Sequence, residues 1–250
     1  MSGVLLATEA VNKSFGAVTA ARAVTVAVPD GAVWSLIGSN GAGKTTFVNM
    51  VTGYIKPDSG RILFDKTDIT RLSPRQITRL GIRRSFQIPQ LCADLTVLEN
   101  MLVSRSINRA QKPSFWRSAR TSADVDEAMD TLEQFRIAEH RDRLMGELSA
   151  GVRKLLDIAM AISGSPRVML LDEPTSGVGA EEKFPLMDLV MEVLSATGVT
   201  VMFVEHDMDI VTRYSERVLA FYDGEIIAND APDEVLSDEA VQRYVTGSAK

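Results

Sequence analysis

Along this chain the spacing of apolar positions alternates between strand and helix periods. Near the start, "VLLATEAV" and "AVTVAV" carry apolar residues at strand spacing and close on turn residues such as Asp30-Gly31, which predicts short strands. Residues 32–37, "AVWSLI", form a compact apolar run that stops at a glycine-rich stretch. The following "TFVNMVTGYI" fits a helix with Gly53 near its end, "KPDSG" a turn and "RILFD" a strand. In "SPRQITRLG" the punctuation is that of a helix: Ser73 as N-cap, Pro74 at the first position and Gly81 past the end.

From residue 91 the period becomes helical. Thr96 and Glu99 have the spacing of a capping box ahead of "NMLVSR". Residues 123–135 read as a second amphipathic helix. "VRKLLDIAMAI" reads as a third, with Val152, Leu155, Ala159 and Ile162 on one face. Between the first two, "RAQKPSFWRSARTS" is polar and basic and reads as a loop; the basic run over 105–120 reads as solvated. Residues 91–162 are therefore expected to be wholly helical. Strands return at "RVMLL" and "TVMFV", continuous apolar runs that suit central strands of a parallel sheet covered on both faces. A helix over 180–196 connects them, with Pro185 near its first turn, and "RVLAFYDGEIIAN" reads as a hairpin around Asp223-Gly224. Alternating strands and helices predict an α/β sheet with an inserted helical lobe.

Composition trims the possibilities. The chain has 250 residues, 45% of them hydrophobic, enough for a sizeable core. A formal net charge of −6 gives no overall basic field, so nucleic acid is not an expected partner. Cys92 is the only cysteine, so no internal disulfide can form. It reads as a small apolar filler, and His140 as a solvated surface residue. "MSGVLLATEA" lacks a basic region ahead of an apolar core, so no signal peptide is expected. No apolar run approaches the roughly 20 residues of a spanning helix. The expectation is a soluble protein that docks onto any membrane partner it has.

The chemistry begins at residues 38–46, "GSNGAGKTT", which meet the pattern G-x-x-x-x-G-K-[ST] through Gly38, Gly43, Lys44 and Thr45. A triphosphate packs several negative charges into a small volume, and backbone N–H groups surround it only where side chains leave room. Gly38, Gly41 and Gly43 keep the loop bare, with Ser39, Asn40, Ala42 and Thr46 completing it. The helix that follows points its positive end at the anion. Lys44 is suited to the β- and γ-phosphates and the Thr45 hydroxyl to a bridging Mg²⁺. Kinases, motors and GTPases share such a loop, so the loop alone names no function. Further on, "VMLLDEP" places Asp172 and Glu173 at the end of a buried strand, where ligands gather in an open parallel sheet. Asp172 can hold Mg²⁺ through a water, and Glu173 can polarise an attacking water.

With these residues in hand, the chain resembles the ATP-binding cassette (ABC) ATPases, in motif order and over nearly its whole length. The glycine loop matches the Walker A motif, Gln87 in "RSFQIP" the Q-loop glutamine, and "LSAGV" the signature. Asp172 matches the Walker B aspartate, Glu173 the catalytic glutamate, His206 in "VEHDM" the switch histidine and Phe15 in "KSFG" the ring that stacks on adenine. The resemblance implies a P-loop NTPase (RecA-like) fold: a parallel-sheet core, an N-terminal antiparallel β subdomain and an inserted α-helical subdomain. It implies one ABC domain over 1–250, with 1–90 and 163–250 as the nucleotide-binding core and 91–162 as the helical signature subdomain. It implies ATP and Mg²⁺ as cofactors, with Thr45, Gln87 and Asp172 around the metal and Lys44, His206 and Glu173 at the reacting phosphate. Ser149 and Gly151 would cap the ATP of a second cassette.

"RSFQ", "SFWRSAR", "FVEHDM" and "VQRYVTG" are similar to the larger ATPase subunit of importers for branched-chain amino acids and related amides or urea. That implies integral membrane permease subunits, a second ABC subunit in a heterodimer or homodimer, and, indirectly, a solute-binding protein. The protein would sit peripherally on the cytoplasmic face of the inner membrane. Lipopolysaccharide-export ATPases are a near alternative. Soluble ABC ATPases of DNA repair or translation fit less well: one carries a long coiled coil and the other usually two cassettes. Glu173 argues against a nucleotide-binding module without turnover. The chain departs from the family at Ala150 and Val152 in the signature and at Gly179, where an Asp or Asn usually ends the D-loop. All three changes lie on the face that serves the opposite site.

Overall fold

The computed structural model describes residues 3–87, 91–109 and 121–247. Two sheets organise it. Strands β1 (Val4–Phe15) and β2 (Val18–Pro29) form a long antiparallel pair, and β1 also pairs with β4 (Ser59–Phe64), which carries the two-residue β5 (Thr67–Asp68). Their order is β2-β1-β4-β5. The second sheet has the order β10-β9-β3-β8-β7-β6, with β3 (Val33–Gly38), β6 (Ile82–Ser85), β7 (Val168–Asp172), β8 (Thr200–Val204) and β9 (Arg217–Tyr222) parallel. Strand β10 (Glu225–Asp230) closes it antiparallel to β9, through a turn with left-handed Asp223 and Gly224.

Continuous apolar strands imply burial on both faces, and the structure shows how. Along β8, Val201 and Phe203 enter one apolar layer while Met202 and Val204 enter the other. On β7, Met169 and Leu171 alternate with Val168 and Leu170 in the same way. The first layer lies under α3 (Val97–Arg109), α4 (Ser122–Gln134), α5 (Ala150–Ile162), α6 (Lys183–Ala196) and α7 (Met208–Tyr214). The second lies between the parallel sheet, the antiparallel sheet, α1 (Lys44–Val51) and α2 (Pro74–Leu80).

Local signals work as their chemistry requires. Ser73 and Gln76 form a capping box at α2, and Gly81 ends it at φ 106°. Thr96 and Glu99 exchange hydrogen bonds at 2.9 and 3.2 Å across the start of α3. Helix α6 starts at Lys183, three residues later than expected, which puts Pro185 where its missing N–H breaks no intrahelical bond.

Several expectations need correction. Cys92 is exposed rather than an apolar filler. Asn100 holds its backbone on both sides, accepting from its N–H at 2.8 Å and donating to its carbonyl at 3.2 Å, which leaves the thiol outside. His140 is half-buried beside Glu139 rather than solvated. Arg105 is not part of a solvated run: it is buried and pairs with Glu127 of α4, which neutralises it. The rest of that run and the "SFWRSAR" segment lie mainly outside the described residues. In α5 the buried set is wider than the expected face and includes Lys154 and Asp157, while Val152 and Leu155 are partly buried against the core. Strand β6 and helix α7 were not expected from the pattern.

Candidate functional site

The register lines up the carboxyl ends of four neighbouring parallel strands. Leu36 pairs with Val204, Val204 with Asp172, and Leu171 with Ser85. The residues just beyond those ends therefore meet along one edge: the glycine loop after β3, Glu205-His206 after β8, Glu173 after β7 and Phe86-Gln87 after β6.

The loop's shape demands its glycines. Gly38 sits at φ 152° and a side chain there would meet the Phe221 carbonyl at 2.5 Å. Gly43 sits at φ 110°, with the Ala20 carbonyl 2.4 Å from where a Cβ would stand. Strand β2 and the β9–β10 turn thus press against the loop, and Gly224 N–H donates to the Ala42 carbonyl at 3.1 Å. Lys44 opens α1, and its ammonium donates to the Gly38 and Ser39 carbonyls at 2.6 and 3.1 Å. Burial lowers its pKa, opposed in part by the charges of Glu173 and Asp172. Ser39, Asn40 and Gly41 are exposed, Ala42 is buried, and Thr45 and Thr46 stand exposed and half-buried in the first turn of α1.

Glu173 adopts φ 47°, left-handed for a non-glycine residue. Its N–H donates to the Val204 carbonyl at 3.0 Å, and its carbonyl accepts from Ser176 N–H at 3.1 Å. That conformation swings the carboxylate between two partners: Gln87 Nε2 donates to Oε2 at 2.6 Å, and His206 Nε2 lies 3.2 Å from Oε1. Below His206, the buried Glu205 accepts from Thr175 N–H at 3.0 Å and its hydroxyl at 2.6 Å, and from His206 N–H at 3.1 Å. Asp207 caps α7 and pairs with Lys183 at 2.9 Å; the Lys183 hydrogen bond lowers its pKa, and the same bond raises that of Lys183.

The structure thus brings Lys44, Asp172, Glu173, Gln87 and His206 to one edge. Phe15 ends β1, 49% exposed, with the Lys13 ammonium 5.3 Å from its ring centre. Ser149 caps α5, accepting from Val152 N–H at 3.3 Å, and a carbon added at Gly151 would lie 3.8 Å from Leu186 of α6. These contacts lie within the lobe and against α6, and none is to the glycine loop. The hard-oxygen donors Thr45, Gln87 and Asp172 are of the kind Mg²⁺ takes alongside substrate phosphates.

Two groups were missed from the sequence. Arg84 pairs with Asp172. Lys154, 2% exposed, donates to the Phe86 and Gln87 carbonyls at 3.2 and 2.9 Å, and Asp157 accepts from Ser85 Oγ at 2.6 Å and Phe86 N–H at 3.2 Å. Burial lowers the Lys154 pKa, opposed first by Asp157. Their signal was legible as two charged residues one turn apart on an apolar helix.

A bare phosphate nest at the head of a helix, facing two acids on the carboxyl edge of a parallel sheet, defines a P-loop nucleotide hydrolase. The family model for ABC transporters matches residues 21–176, and the chain belongs to that family, whose cassettes bind and hydrolyse ATP. It is 36% identical to the probable branched-chain amino acid transport ATP-binding protein LivG of Methanocaldococcus jannaschii, over 97% of each chain. It is 34% identical to the high-affinity branched-chain amino acid transport ATP-binding protein LivG of Escherichia coli (strain K12), over 100% of each. Among solved structures, an ABC transporter cassette in its ADP conformation superposes with a TM-score of 0.86 at 35% identity, covering 96% of this chain and 97% of that one. A nucleotide-free cassette gives 0.85 at 35% identity, over 95% and 97%.

Proposed function

We propose that this chain is the ATPase subunit of an importer for branched-chain amino acids or similar small polar solutes. It works on the cytoplasmic face of the membrane with permease subunits, a second cassette and, indirectly, a solute-binding protein. The observation that carries the catalytic reading is the placement of Glu173 between Gln87 and His206, beside Lys44 and Asp172. The full-length likeness to branched-chain transport subunits supports the solute class.

In this reading Gln87 and His206 aim the Glu173 carboxylate at the water that attacks the γ-phosphate, and Glu173 draws a proton from it. Lys44 and His206 offset charge on the phosphate, and the loop amides orient it. Phe15 stacks on adenine. Thr45, Asp172 and Gln87 hold Mg²⁺, which when bound supplies Lewis-acid stabilisation of phosphate oxygens. Ser149 and Gly151 cap the nucleotide of the partner cassette, and residues 91–162 move as the signature subdomain. No helix among the described residues is long and apolar enough to cross a membrane. A permease therefore docks from outside. The cleft beside β6 suits it, since Tyr54, Thr78, Phe86 and Ser104 line it and Tyr54 is 58% exposed.

Replacing Glu173 by Gln tests the chemistry. ATP binding is expected to persist while turnover falls about 100-fold or more; near-normal steady-state hydrolysis would remove Glu173 from the proposed role. For the solute, deletion of the gene should abolish uptake of labelled leucine or a related solute and re-expression should restore it.

A further inference from the structure

Neither the loop nor the chemistry proposed above uses Arg84, yet it reaches the centre of the site. It stands on β6 opposite Leu170 of β7 in the parallel register. Its guanidinium pairs with Asp172 Oδ2, the two side chains being only 8% and 10% exposed. From the same guanidinium, Nη1 donates to Asn49 Oδ1 at 2.6 Å. Asn49 follows Thr45 by one turn on α1 and so shares its side of the helix. The Phe86 ring covers the guanidinium at 4.8 Å. Arg84 therefore ties β7 to α1, the two elements whose Asp172 and Thr45 are read as holding the metal.

A carboxylate bound to guanidinium in a buried site is already neutralised. A divalent cation approaching it meets a fixed positive charge where water weakens the repulsion little. Arginine cannot relieve this by losing its proton. Phosphate oxygens can relieve it, because they bring negative charge to the same edge. We propose that Arg84 is a positioning residue that serves as the resident counter-ion of Asp172, keeping metal affinity low until nucleotide supplies further negative charge. The proposal rests on the reading of Asp172 as a metal-holding residue.

The test uses the purified full chain without nucleotide and, in a second series, with ADP equimolar to protein, Mn²⁺ being the probe and free Mn²⁺ read by electron paramagnetic resonance. The Arg84 shifts are those expected without nucleotide, and shifts that do not shrink when ADP is present would overturn the proposal. Arg84→Gln should lower the half-saturating Mn²⁺ concentration about tenfold. Arg84→Lys keeps the charge but cannot reach both Asn49 and Asp172. It should shift the value the same way by about threefold, and it carries the test if the Gln variant does not fold. Asp172→Asn should weaken Mn²⁺ binding, and adding Arg84→Gln to it should produce no tightening. Mn²⁺ affinity unchanged by Asp172→Asn would overturn the metal reading itself. Loss in Asp172→Asn, with unchanged or weaker binding in both Arg84 variants or with tightening that survives in the double variant, would overturn the Arg84 proposal alone.

Discussion

Glu173 combines a strained backbone with its placement at the carboxyl edge of the parallel sheet. A non-glycine residue at φ 47° carries a penalty of about 1 kcal/mol, and flanking backbone hydrogen bonds hold it there. Strain of this kind aims the carboxylate at the expense of stability. Glu173→Gly and Glu173→Ala remove the same carboxylate, but only glycine relieves the backbone. The glycine variant should therefore be more stable than the alanine variant by about 1 kcal/mol in denaturant unfolding, with hydrolysis lost in both. Equal stabilities, or a more stable alanine variant, would mean the left-handed backbone costs nothing. At this scale the sequence was most informative where chemistry restricts residue type: bare glycines, one lysine, two consecutive acids. Arg84 was quoted in "RSFQ" yet given no role, because its significance depends on a partner 88 residues away that only the sheet register brings alongside.

At the scale of elements, α5 links Ser149 to the carboxyl edge of the parallel sheet. Ser149 caps its start; one to two turns on, Lys154 and Asp157 grip the backbone and side chain of residues 85–87, and Gln87 reaches Glu173. Lys154→Met keeps the side-chain length and removes the donor. Two carbonyls then lose a buried partner, at a cost of about 2 kcal/mol. If the grip positions Gln87, turnover should fall about tenfold while the affinity for ATP stays within twofold. Adding Lys154→Met to Gln87→Ala should then lower turnover no further. Additive losses in that double variant would make Lys154 a stability residue and nothing more. Helices with caps and full turns were legible from the sequence, because their signals are local. Strand β6 was not: "IRRS" is four residues long with two arginines, and it becomes a strand only because β7 offers it a parallel edge. Arg105 was misread for the same reason, since its charge is neutralised by Glu127 across a stretch no local rule spans.

At the scale of the whole molecule, the departures from the family pattern lie around the start of α5 and at residue 179, which in the proposed reading serve a partner's nucleotide. The structure separates their consequences. Ala150 opens α5 in helical conformation, so its methyl brings no backbone strain. Gly179 has no steric need to be glycine: an added carbon would meet its nearest neighbour, Glu182, at an ordinary 3.8 Å. Val152 replaces an amide by an apolar side chain at the third position of α5, partly buried against the core. What is missing is therefore polar contact offered outward, while this chain's own loop and acids are complete. In a heterodimer, the site built on Lys44 and Glu173 should be the faster, and the site capped by this chain's Ser149 the slower. Removing the catalytic glutamate from each subunit in turn should then cost unequal turnover, with Glu173→Gln the more damaging by about threefold or more. Restoring polarity with Val152→Gln and Gly179→Asp should narrow the gap. Equal losses from the two glutamate replacements would mean that the signature tolerates these changes and that both sites fire alike.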